Sequence, residues 1–406
     1  MQYFNKIKHY YLVLEYKIVA YSSFIFSKLK GSNYKSRTKK RADISFIREK
    51  LSKNRKKRLA IFVAFHSRDL IPQSNLNYLN ILQRSFFEII YVHNGILSPK
   101  VINDLSNRGC YVICRENVGQ DFGAWKDSFE LIKFYKLNKD LDWLLFCNDS
   151  NFCLGGDNSD KFISKLSSKL EKTNEIDFIS LNCNYERRLH YQSYFLCFSK
   201  VVFQNKKFQK FWERYLPISH RFHAIENGEK KLSSKVLSSF RPSVIFTSHH
   251  LSEKISLKLN NDAFRVLGNL PRELFYLEDL LKIKKKKKKD ILNLRISVNR
   301  IISSLENYNQ SHVFALLNII FLDSPFLKKD VVRQGLFSYC QIYDLLKFDN
   351  LCIDKNLQEE IINFLQRGGT SYSYIEDERM RYRRGISPDG INFNYKDVKL
   401  IREKLN

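Results

Sequence analysis

Glycine and proline are scarce, at 14 and 7 of 406 residues, which excludes a collagen-like or low-complexity chain. Acidic side chains are also in deficit: 42 Asp and Glu stand against 69 Lys and Arg, a formal net charge of +27. Nucleic acid, an anionic membrane surface and phosphorylated substrates all suit such a charge. The preference for Lys over Arg, with abundant Asn, Ile and Phe, is equally what an AT-rich genome writes without selection for binding. No run of about 18 apolar residues is present, so the sequence predicts no transmembrane helix. The nearest approach, residues 10–26, is interrupted by Glu15 and Lys17 and lacks the small-residue cleavage site of a signal peptide. It suits an amphipathic helix packed on the body, or one lying on an anionic membrane. The eight cysteines form no CxxC pair and no Cys/His cluster of zinc spacing. They read as reduced core thiols in a reducing compartment.

Apolar material, by contrast, is plentiful. Hydrophobic residues make up 44% of the chain, with 32 Phe and 22 Tyr, enough for a large core and for more than one domain. Short apolar runs at 59–65, 88–93, 109–114 and 142–147 read as strands of a doubly covered sheet. Helical stretches at 74–86, 98–107 and 126–134 separate them, and 176–181 and 193–198 read as further strands. Alternation of this kind predicts an α/β fold with a mostly parallel sheet and helices on both faces, followed by a helical C-terminal region. The expected divisions are a basic N-terminal helix and linker at 1–57, a catalytic domain at 58–255, a mainly helical region at 256–365 and a basic tail at 366–406. The lysine run 284–289 reads as a solvated linker.

In open parallel sheets, ligands bind beyond the carboxyl ends of the strands. Each predicted strand ends there in polar residues. His66 follows the first and Asn94 the second, the loop 115–125 follows the third, and Asn148, Asp149 and Ser150 close the fourth. In that loop Gly119 and Gly123 permit special backbone and close ligand approach. Asn117 and Asp121 are placed to bind hydroxyls, and the helix start that follows can face a phosphate; a structural turn explains the same residues. Asp149 suits a divalent cation bridging a diphosphate, or equally a helix N-cap.

Taken together, the segment 116–125 (with Asn117, Gly119, Asp121, Gly123 and Trp125) and the Asn148-Asp149-Ser150 motif resemble the rhamnan synthesis protein F family. These are glycosyltransferase-like proteins of bacterial polysaccharide and lipopolysaccharide assembly. Segments 190–198, 208–212, 309–312 and 324–329 are similar too, so the resemblance extends over roughly 58–350.

The resemblance implies a GT-A-like, Rossmann-type fold and an inverting hexosyltransferase taking a sugar, such as rhamnose, from a nucleoside-diphosphate donor. It places His66 and Asn94 near the base and ribose. Asn117, Gly119, Asp121, Gly123 and Trp125 become the donor loop, and Asn148, Asp149 and Ser150 the diphosphate or metal site, with Asp149 as the ligand to Mg²⁺ or Mn²⁺. One carboxylate where GT-A proteins offer two leaves metal dependence open, and Lys or Arg can meet part of the leaving-group charge. Glu229, then Glu226, fits the spacing of a catalytic base, with Asp121 a further candidate. His190, Ser193 and Tyr194 lie on the acceptor side. The implied partners are the nucleotide-sugar donor and a lipid-linked glycan acceptor, at the cytoplasmic face of an anionic membrane. No nucleic-acid partner is expected, because no module interleaves aromatic and basic residues. A non-catalytic, donor-binding member of an assembly complex is the alternative.

Overall fold

The computed structural model describes residues 44–371 apart from 54–55, 186–188, 256–268, 271–301, 304–305, 307, 334–335, 338, 348–350 and 352, with a few isolated residues before 44. Most of the expected basic N-terminal helix and linker, the lysine run and the tail beyond 371 lie outside the described residues.

The first half alternates as the sequence predicts: α1 (Ile47–Lys53), β1 (Arg58–Ala64), α2 (Gln73–Arg84), β2 (Phe87–His93), α3 (Pro99–Asn107), β3 (Cys110–Cys114), α4 (Gln120–Phe134) and β4 (Trp143–Asn148). After these come β5 (Asn151–Cys153), α5 (Gly156–Leu170), β6 (Phe178–Ser180), β7 (Cys183–Asn184), β8 (His190–Tyr191), β9 (Phe195–Ser199), α6 (Lys200–Phe203) and α7 (Lys206–Arg214). A helical segment joins α8 (Arg221–His223), a π-helical turn (Ala224–Glu229) and α9 (Lys230–Lys235), and leads to β10 (Pro242–Val244). The later described elements are α10 (Gln310–Val313), α11 (Ala315–Leu322), β11 (Phe326–Lys328), α12 (Lys329–Arg333), α13 (Tyr339–Leu346) and α14 (Lys355–Ser371).

Seven strands form the central sheet in the order β10-β6-β9-β4-β1-β2-β3. All neighbours run parallel except β9, which is antiparallel to β4 and β6. The apolar runs are continuous because both faces are covered. Along β1, Ala60, Phe62 and Ala64 enter one core with Tyr78, Leu79 and Leu82 of α2, while Leu59, Ile61 and Val63 enter the other with Trp125 and Phe129 of α4. This is the two-residue period of a strand expressed on two buried faces.

The later elements join the same body. Phe314, Leu317, Phe321 and Phe326 belong to the core that holds Phe62 and Leu145. β11 pairs antiparallel with β5, placing Lys328 opposite Asn151, and Lys329 N donates to Ser150 O at 2.9 Å. A third cluster packs Phe152 and Leu154 against Leu316, Ile342, Leu357 and Ile361. No helix among the described residues is long and apolar enough to cross a membrane.

Candidate functional site

The chain builds β1, β2 and β3 outward in one direction, then returns to lay β4 on the other side of β1. Connections leaving β1 and β4 therefore diverge, opening a crevice at their carboxyl ends, where ligands bind in open α/β sheets. The polar residues that close the strands meet at this crevice.

Asp149, immediately after β4, donates its backbone N–H to Val63 O at 3.0 Å, and its Oδ2 accepts from Phe65 N at 3.0 Å. That carboxylate is thus fixed across the β1–β4 gap. Asn148 is buried and bridges two neighbours: its Nδ2 donates to Asp121 Oδ2 at 2.6 Å, while its Oδ1 accepts from the N–H and hydroxyl of Ser150. This geometry brings Asp121, Asn148, Asp149 and Ser150 together. Burial and the charge of Asp149 push the Asp121 carboxyl up to about 7, against the opposing influence of the Asn148 hydrogen bond, Lys328 and Arg115. Two carboxylates competing for one partly desolvated space produce such a rise.

On the other flank, His66 Nε2 lies 2.6 Å from Tyr91 Oη, and His66 N donates to His93 Nε2 at 3.3 Å. Burial lowers the pKa of both imidazoles. Asn94 is buried and holds its Oδ1 2.5 Å from Arg115 Nη1, while Arg115 Nε pairs with Asp127 Oδ2 at 3.1 Å in a buried ion pair. Asn94 therefore orients Arg115 beneath the loop, with its side-chain oxygen committed to protein.

The loop after β3 differs from its expected form in three ways. First, α4 begins at Gln120, so Asp121 stands in a helical first turn. Gly119 (φ +75°) and Gln120 (φ +51°) are both left-handed and turn the chain sharply into that helix. Second, the two glycines leave room for protein. A Cβ on Gly119 would meet Pro217 Cβ at 2.5 Å, and one on Gly123 would meet Val118 O at 2.1 Å. Gly119 N also donates to Ser219 Oγ at 2.8 Å. Third, Trp125 is core: it is buried, stacks on Phe146 with centroids 5.8 Å apart and donates to Cys147 O at 3.4 Å. Asn117 alone of the loop residues named is exposed.

Two of the residues expected on the acceptor side, His190 and Ser193, meet Glu229. Its Oε2 accepts from Ser193 N at 2.7 Å, and its Oε1 lies 3.5 Å from buried His190 Nε2. Glu229 ends the π-helical turn, whose Gly228 packs so closely that an added Cβ would lie 2.8 Å from the Phe122 ring. Isolated π-helical turns re-aim side chains and are frequent at functional sites. Glu226 instead pairs with Lys230 four residues on, at 2.6 Å. Tyr194 is buried, with its Oη 2.5 Å from Asn182 Oδ1.

For a divalent cation, Asp149 and Asp121 are the available carboxylates. Among the described residues no group of three His, Cys, Asp or Glu is placed to hold a metal ion. Asp149 by itself fits the way Mg²⁺ is held through one carboxylate when the remaining positions are filled by water and substrate phosphate. His93, Tyr91, Arg115 and Ser219 are residues of the candidate site that motif reasoning does not single out, and Lys328 lies in the 324–329 segment without a role assigned to it there. For His93, Tyr91 and Arg115, position at the carboxyl end of a strand is the signal that was present.

Among curated proteins none matches the chain. Of solved structures, the crystal structure of the glycosyltransferase GlyE in Streptococcus pneumoniae TIGR4 shares 10% identity, with a TM-score of 0.28 over 62% of this chain and 63% of that one. The chain thus spans less than two thirds of that protein, and a likeness this distant carries no argument about chemistry. The sequence comparison is more direct: over residues 89–268, which hold the loop after β3, Asn148-Asp149-Ser150, Ser193, Tyr194 and Glu229, the chain matches the family described as Rhamnan synthesis protein F.

Proposed function

We propose that the protein is an inverting glycosyltransferase of GT-A type, moving a sugar from a nucleoside-diphosphate donor to a growing cell-surface polysaccharide or lipopolysaccharide. The observation that carries this reading is the meeting of Asp121, Asn148 and Asp149 at the β1–β4 switch point, with the Asp121 carboxyl raised to about 7.

In the reaction, the acceptor hydroxyl oxygen bonds to the anomeric carbon as the bond from that carbon to the β-phosphate oxygen breaks. The electron pair leaves with the nucleoside diphosphate, and the hydroxyl proton passes to a base. Asp121 suits that base, because a carboxyl near 7 can accept a proton at neutral pH while remaining a competent acid for its return. Glu229, with its oxygens engaged by Ser193 and His190, shapes the acceptor side. Asp149 is the residue that would hold a Mg²⁺ or Mn²⁺ together with the donor diphosphate, and the ion would offset charge on the leaving group. His66, His93 and Asn117 border the space for the base and ribose. A deoxyhexose such as rhamnose is the proposed sugar, and a lipid-linked glycan at the inner membrane face the proposed acceptor.

A thermal-shift screen against nucleotide sugars, with and without Mg²⁺ or Mn²⁺, tests the reading, because a ligand of the folded state raises Tm with its saturation. The expected result is a shift for one nucleotide family that is lost in Asp149→Ala. An unresponsive wild-type protein across the panel, together with no sugar transfer to any lipid-linked acceptor, would overturn it.

A further inference from the structure

The β11–β5 pairing delivers Lys328 to the crevice from a part of the chain some 180 residues beyond the Asn148-Asp149-Ser150 motif. Its Nζ stands 4.2 Å from the centroid of the Tyr194 ring. Its charge is felt at Asp121, Glu229 and Asp330. Each of those carboxylates is engaged elsewhere. Asp330 is gripped by Arg221 at 2.6 Å and Arg333 at 2.5 Å. Glu229 holds Ser193 N and faces His190, and Asp121 accepts from Asn148.

Among the described residues no carboxylate forms an ion pair with Lys328, in contrast to its neighbours Arg221, Arg333 and Lys329. Burial lowers its pKa, so the protein bears a cost for keeping the ammonium there. Around it lie Asn151, Asn182, Tyr194, Ser311 and Asn318, lining a small cavity with room for about one water. A partly desolvated cation backed by an aromatic face, with no direct ion pair among the described residues, is the chemistry of a site completed by an anion.

We propose that Lys328 binds the diphosphate of the nucleoside-diphosphate donor and supplies the fixed positive charge at its leaving oxygen. The proposal rests on the transferase reading for the identity of the donor, and on the β11–β5 geometry for the site. As the bond between the anomeric carbon and the phosphate oxygen breaks, the electron pair stays on that oxygen and is met by the ammonium. A cation built into the protein compensates for the single carboxylate of Asn148-Asp149-Ser150, since it attracts phosphate with or without a metal ion.

Calorimetric titration of the full chain tests this with three probes: inorganic pyrophosphate, a nucleoside diphosphate and the matching nucleoside. Lys328→Met is expected to weaken pyrophosphate and nucleoside diphosphate by about tenfold or more while leaving the nucleoside unchanged. Lys328→Gln gives the same contrast if the Met variant folds poorly. Undiminished pyrophosphate and diphosphate binding in both variants overturns the proposal and leaves the transferase reading standing. Loss confined to pyrophosphate overturns it for the donor, because the cation then serves another diphosphate. Loss of both in a protein that transfers no sugar upholds the diphosphate site and removes the transferase reading. A wild-type chain that binds none of the probes refutes both.

Discussion

Asp121→Asn exposes the tension between stability and function at the crevice. The Asp121 carboxyl is raised from 3.8 to about 7 by burial and by Asp149. The folded protein therefore holds a proton that the unfolded chain releases near pH 4. Stability contributed by that proton is fully present below the unfolded value and is lost as pH rises through about 7. A rise of this size corresponds to ~4 kcal/mol above pH 7 as an upper bound, at ~1.4 kcal/mol for each unit. The side chain keeps some contact with solvent, which reduces the expected effect to ~1–2 kcal/mol. An Asn carbonyl can still accept from Asn148 Nδ2, so the substitution removes the charge and retains the hydrogen bond. The variant should match the wild type near pH 4 and melt roughly 1–2 °C higher at pH 8, with the difference growing between those limits. Turnover should fall by about 10²–10⁴-fold if Asp121 is the base. Differential scanning calorimetry from pH 4 to 8, paired with a transfer assay, reads both quantities. A melting difference that does not change with pH would refute the electrostatic account, and undiminished turnover would refute the assignment of the base.

Gly119→Ala should lower stability by ~2–4 kcal/mol in denaturant titration, since it adds left-handed strain to a 2.5 Å approach to Pro217 Cβ; a change below ~0.5 kcal/mol would mean the 217–219 segment yields freely. Asp127→Ala should cost ~3–5 kcal/mol by leaving Arg115 buried without its carboxylate, and wild-type stability in the variant would show that solvent reaches the pair. Burial depresses the His66 and His93 pKa values, so their contribution is present above about 6.5, the ordinary value, and is lost as pH falls through the lower folded values. A His66→Gln/His93→Gln double variant should accordingly show a shallower fall in Tm than the wild type below pH 6.5, and parallel curves would contradict this. Glu229→Gln should slow turnover while leaving donor affinity unchanged, and equal losses in both would place Glu229 at the donor.

The doubly buried strands were legible in the sequence because each is short, apolar on both alternating faces and closed by polar residues. β1, β2, β3 and β4 all fall within a residue or two of the runs that predict them. The same logic placed His66, Asn94, Asp121 and Asp149 at one edge, since parallel connections leave every carboxyl end on the same side. Asn148-Asp149-Ser150 and the loop after β3 were visible as motifs for the same reason: local chemistry is written in consecutive residues.

Only the tertiary structure decided what those motifs touch. The space beside Gly119 is filled by Pro217, and Trp125 faces Phe146. Nothing in a seven-residue window can report a neighbour that arrives a hundred residues later. The contrast between Glu226, paired with Lys230, and Glu229, turned toward His190 and Ser193, depends on the π-helical turn that changes their angular spacing. Lys328 is the extreme case. In sequence it belongs to the 324–329 segment, but no role follows from that segment in a chain of net charge +27. Its place opposite Asn151 follows from antiparallel pairing of two three-residue strands, stabilised by the apolar cluster of Phe152, Leu327 and the helices after it. The sequence by itself determined where polar groups would gather, through periodicity and chain direction. Long-range packing decided which charges meet there and which stand without a direct ion pair among the described residues.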